Sequence, residues 1–127
     1  MAKYTDDYVL DGSALRVAEG NELRICAGQP TSFADSTTRR LGSIAMTPGT
    51  GGGDYSLANG DVNGRKVTVA AQTGIAVATT GTADHVAIVD TVNSRLLHAT
   101  TMPSQTVTAG NTANTAAWDA EFGDVTP

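Results

Sequence analysis

From residue 41 onward, apolar and polar residues alternate with a period of two, and many of the apolar positions are β-branched. This is the pattern of strands laid on a pleated surface with one face buried. The predicted strands are 41–46, 54–57, 65–71, 75–80, 85–90, 95–101, 105–108 and 114–122. Turn formers separate them, among them Asn59-Gly60, Thr73-Gly74, Asn93-Ser94, Pro103-Ser104 and Gly110-Asn111. The clearest unit is a hairpin of residues 85–90 and 95–100 about Thr91-Val92-Asn93-Ser94, which sets Asp90 near Arg95, His85 near Thr100 and Ala87 near His98. Val86, Ile88 and Asp90 then share one face, and His85, Ala87 and Val89 the other. Both faces are apolar enough for a strand covered on two sides. In Lys66-Val67-Thr68-Val69 the valines point inward. Trp118 and Ala120 share a face opposite Asp119 and Glu121.

Helical signals are confined to the first forty residues. Asp6-Asp7 can cap a short segment carrying Tyr8, Val9 and Leu10, which Gly12 is expected to interrupt, since an interior Gly costs about 1 kcal/mol relative to Ala. A second helical turn is predicted at 32–38 with Phe33 inward, and residues 22–27 read as a strand. The fold class is therefore mainly β: an antiparallel β-sandwich of jelly-roll or Ig-like kind with a short N-terminal helical segment. Residues 1–127 form one domain, mixed over 1–40 and a sandwich over 41–127. The expected core is Val67, Val69, Ile75, Val77, Val86, Ile88, Leu96 and Trp118. The run from Thr47 to Gly53 reads as a flexible surface loop.

The composition narrows the partners. Charged residues make up 17%, below the usual share, and the formal charge is −5 with a pI near 4.7. Binding to nucleic acid rests on Lys and Arg displacing counterions, so an acidic chain argues against it. No apolar stretch approaches the roughly 20 residues of a membrane-spanning helix. The N-terminus lacks a basic segment followed by an apolar one, which points to synthesis in a cytoplasm. Cys26 is the single cysteine and is expected to be buried as a small hydrophobe.

Each candidate for chemistry is incomplete. Gly49–53 is followed by Asp54 and a strand rather than by the Lys and helix of a phosphate-binding loop. His85 and His98 are diagonal neighbours at best and lack a third metal ligand. Asp84-His85 pairs an acid with a His, but adjacent strand residues are expected on opposite faces. Asp119, Glu121 and Asp124 beside Trp118 suggest a glycosidase less readily than a core Trp with a solvated acidic edge. The alternate oxygens of residues 59–64 lack the bidentate acid that closes a calcium loop. The expectation is no catalytic residues, no cofactor and no metal.

Three segments together resemble small β-rich virion proteins of tailed bacteriophages: 82–90 with 95–100 and 104–112; Leu23-Arg24-Ile25-Cys26-Ala27 with Pro30-Thr31-Ser32-Phe33-Ala34; and 63–69. The resemblance covers most of the chain at the level of pattern and implies a structural component of the virion, with no catalytic residues to transfer. The expected role is a capsid decoration or cement protein, homo-oligomeric and bound to the major capsid protein. A tail, neck, collar or fibre-attachment protein is the alternative, and a carbohydrate-binding module using Trp118 and Tyr55 a second one. The short N-terminal segment, residues 1 to about 15, cannot bury its apolar residues on itself, so it is expected either to be an attachment element, with the partner contact on Tyr4, Tyr8, Val9 and Leu10, or to pack against the core of the domain.

Overall fold

The computed structural model describes residues 7–61 and 64–122, with Asp7 described by its backbone alone. Among the described residues two helices and nine strands follow in the order α1 (Asp7–Val17), β1 (Glu22–Cys26), α2 (Phe33–Arg39), β2 (Arg40–Ala45), β3 (Tyr55–Asn59), β4 (Arg65–Val69), β5 (Gln72–Val77), β6 (Gly81–Asp90), β7 (Arg95–Val107), β8 (Thr112–Thr115) and β9 (Trp118–Phe122). The protein is mainly β. A six-stranded antiparallel sheet, in the order β7-β6-β1-β2-β5-β8, curls into a half-barrel, and β3-β4-β9 form a second sheet.

One apolar core joins the sheets. Leu23, Ile25, Ile75, Val86 and Ile88 come from the larger sheet, Tyr55, Val67, Val69 and Ala120 from the smaller, and Ala14, Val17 and Ala18 from the end of α1 and the residue after it. Val77 of the expected core is buried too, and Trp118 packs against the cluster. Leu96 is the exception. It lies opposite Val89 and shares that residue's outward face, in a shallow groove with Pro30. A register shift between Ile88 and Val89 makes Leu97 an extra residue and sets His98 opposite Ile88, so these two lie on the core side.

The predicted strand at 22–27 is the middle of the larger sheet, where β1 pairs with β2 on one side and β6 on the other. Its alternation is weak because it is covered twice: Leu23 through Cys26 are all buried. The outer cover is α2, whose N-cap Ser32 accepts the amide of Asp35. Arg24 lies beneath it at 4% exposure, donating to Glu22, Ser36 and Thr37 and stacking on Phe33.

Two predicted boundaries move. Segments 95–101 and 105–108 are one strand, because β7 is an edge strand and Pro103 there removes no ladder bond that a central strand would need. Segment 114–122 divides at Ala116-Ala117, with β8 an edge strand of the larger sheet and β9 an edge strand of the smaller. The helix also differs, since α1 runs unbroken through Gly12. Tertiary contacts compensate the glycine: Ala14 and Val17 are buried, and Asp11 accepts from Arg65 of β4 at 2.7 Å.

Candidate functional site

Helix α1 is two-faced. Leu10, Ala14 and Val17 recur at helical spacing toward the small sheet, with Leu10 half-buried and the other two buried. Tyr8 and Leu15, seven residues apart on the opposite side, are 85% and 43% exposed, and Val9 is 61% exposed. Of the four residues expected to touch a partner, Tyr8 and Val9 thus face solvent, Leu10 turns toward the sheet, and Tyr4 lies outside the described residues. The last turn of α1 packs in the core through Ala14 and Val17.

A cavity of about 330 Å³ opens where the half-barrel fails to close, between the second half of β7 and the crossing from β8 to β9. Val86, Met102, Pro103, Thr115, Ala117 and Trp118 are among its lining residues. Gln105 Nε2 donates to the Asn114 carbonyl at 2.9 Å and ties the two outer strands of the larger sheet across it. On the core side, His98 stacks on the Trp118 ring with centroids 5.5 Å apart and planes inclined by 19°. Burial holds the His98 imidazole below its ordinary value near 6.5. Trp118 Nε1 and Thr115 Oγ1 are sealed from water and have no hydrogen-bond partner among the described residues. No run of residue types announced this pocket, because it is made by two edges distant in sequence.

The other constellations are used within the fold. Asp84 and His85 do meet, with Oδ1 and Nδ1 2.8 Å apart, against the expectation of opposite faces. The pairing of β6 with β7 is irregular between Ala83 and His85, so strict alternation lapses there. Asp84 also accepts the Gly28 amide at 2.8 Å, and His85 and that amide hold its carboxyl below the usual carboxylate range. His85 sits opposite Thr101 and His98 opposite Ile88, so the histidines belong to different environments. Asp119 is bonded to Thr68 and Lys66, and Lys66 also takes Asp61 of the 59–64 turn at 2.7 Å. Val62 and Asn63 of that turn lie outside the described residues. Among the described residues no three potential metal ligands of the His, Cys, Asp and Glu type converge. Tyr55 is 1% exposed and its hydroxyl donates to the Gly20 carbonyl at 2.7 Å, so it is a core residue and not a sugar platform. Cys26 is buried as expected, and burial pushes its thiol up to about 11 against the opposing pull of Arg24 and Arg39.

The glycine-rich loop is pinned at its ends, with Thr47 N donating to Asp54 and Gly49 N to the Ala18 carbonyl. Among the described residues no helix is long and apolar enough to cross a membrane. Comparison with family models, with curated proteins and with solved structures finds no match to this chain.

Proposed function

We propose that this is a non-catalytic structural protein of a tailed-bacteriophage particle, a decoration or cement protein that binds the major capsid protein as a homo-oligomer. The observation that carries the reading is the outer face of α1. An aromatic and two aliphatic side chains, Tyr8, Val9 and Leu15, stand in solvent on a helix whose other face is anchored in the core. A rigid apolar surface of this kind loses little freedom when it docks, and Tyr is favoured at interfaces because its ring dries while its hydroxyl stays wet. The acidic, small-residue composition and the resemblance of the strand pattern supply the assignment to a virion.

The finer architecture belongs to the same reading. Two antiparallel sheets sharing one core, with the chain crossing between them at Ala116-Ala117, form a sandwich of jelly-roll or Ig-like kind with an N-terminal helix on one end.

The test uses Val9→Arg in the full chain, a charge placed on the exposed apolar face. Unfolding is expected to stay within about 0.5 kcal/mol of the parent, as for exposed sites, while binding to particles that lack the protein is lost. Retained binding would place the contact elsewhere. Mass-spectrometric copy number then locates it in the particle: hundreds of copies accord with a head decoration, about six to twelve with a neck, collar or tail ring.

A further inference from the structure

We propose that the cavity between β7 and the β8–β9 crossing is a binding site for a compact, neutral, two-ring molecule carrying one carbonyl or hydroxyl oxygen. Size comes first. An apolar cavity near 150 Å³ holds one benzene, so about 330 Å³ corresponds to two fused rings. Shape and lining agree, since Met102, Pro103, Val86 and the Trp118 ring make an apolar wall at the open mouth of a curled sheet, a common place for small-ligand sites.

The polar requirement follows from the two orphan atoms. A buried donor without a partner costs about 1–3 kcal/mol, and here two of them, Trp118 Nε1 and Thr115 Oγ1, belong to neighbouring residues of one cavity wall. Thr115 is 8% exposed, so bulk water cannot relieve it. As they stand both atoms are sealed from the cavity space, so an acceptor lodged there pairs with one of them only when that side chain turns toward it, and it is a partner that the described residues do not supply. The charge of the occupant is set by what surrounds it: among the described residues no Lys or Arg lines the cavity, and the chain carries a net −5, so a carboxylate would be desolvated without compensation. A neutral oxygen meets the need. A free sugar fits poorly, because the wall is mainly apolar, with Thr101, Ser104, Gln105 and Asn114 its other polar residues, and one Trp118 face is already stacked on His98.

The chain contains one tryptophan, so a single indole N–H resonance reports on this wall. In a titration of the intact protein with 1-indanone, that resonance should shift saturably, and indane, the same rings without the oxygen, should bind about tenfold more weakly. Ala117→Leu, a filling change at an exposed lining position, should abolish the indanone shift while leaving the melting temperature in place. A second filling variant, Ala116→Leu, serves if the first lowers the melt. The proposal is overturned if no saturable shift occurs up to the solubility of indanone, if the filled variant responds as the parent does, or if indane binds as tightly. None of these outcomes bears on the docking of α1, which is tested separately.

Discussion

At the residue scale, burial decides most outcomes. Ile88 is fully buried between the sheets, and Ile88→Ala should cost about 2–5 kcal/mol in denaturant unfolding through lost transfer energy and the cavity left behind. Thr115→Val should act in the opposite direction. It removes a sealed hydroxyl that has no partner among the described residues, so the same measurement should show a gain of about 1 kcal/mol. His98 gives the chain a pH dependence near neutrality. Its folded pKa lies below the ordinary 6.5 because burial penalises the imidazolium, so the unfolded chain binds the proton more readily. The stability this contributes is complete above about pH 6.5 and is lost as pH falls from there toward the folded value. A melting temperature lower at pH 5.5 than at pH 8, with the difference reduced in His98→Gln, is the expected result. A residue such as Trp118 is legible in the sequence as a core aromatic. That its indole nitrogen ends without a partner is not, because the answer depends on which strand edge faces it.

Among the elements, α1 shows local propensity overruled by packing. Gly12 weakens the helix, yet Ala14, Val17 and the Asp11–Arg65 pair hold it on β4. A Cβ added at Gly12 meets nothing within 4 Å and the residue is exposed, so Gly12→Ala should raise stability by about 0.5–1 kcal/mol in thermal or denaturant unfolding. The contrary case is Gly42 in β2, where an added Cβ would lie 2.7 Å from the Ala76 carbonyl oxygen of the neighbouring strand; Gly42→Ala should destabilise. Helix α2 earns its place through Arg24. The guanidinium is enclosed yet bonded to Glu22, Ser36 and Thr37, and Arg24→Ala should destabilise by about 1–3 kcal/mol, since it takes the donor from the buried Ser36 hydroxyl and empties the space beneath the helix. Measuring α2's amide exchange in the same variant checks the location of the damage. The sequence pattern located α2 and nearly every strand, since a short polar run after Pro30 and period-two valines are local signals. It missed the fusion across Pro103 and the division at Ala116-Ala117, because a proline is tolerated or not according to whether its strand is an edge, and a strand cannot announce which sheet it will join.

For the whole molecule, acid is the general stress. Hydrogen bonds from Arg39 to Asp35, from His85 to Asp84, from Asn93 to Asp90 and from Thr68 to Asp119 each lower the carboxyl concerned below 3.8. A depressed folded pKa contributes stability present above the unfolded value and lost as pH falls through the folded one. Unfolding should therefore show a gentle loss beginning near pH 6.5 and a steeper one below about pH 4, with neutral pH restoring the fold. Local information sufficed for the β class, the buried cysteine, the inward valines of β4 and the short helices, because side-chain alternation, caps and turns act over a few residues. Only the tertiary structure decided that β1 lies at the centre of the larger sheet, that Tyr55 is core, that Asp84 reaches His85, and that a cavity forms beside Trp118. Each of these depends on contacts between segments tens of residues apart or on an irregular register, and chain closure over such distances leaves no mark in the local alternation of residues.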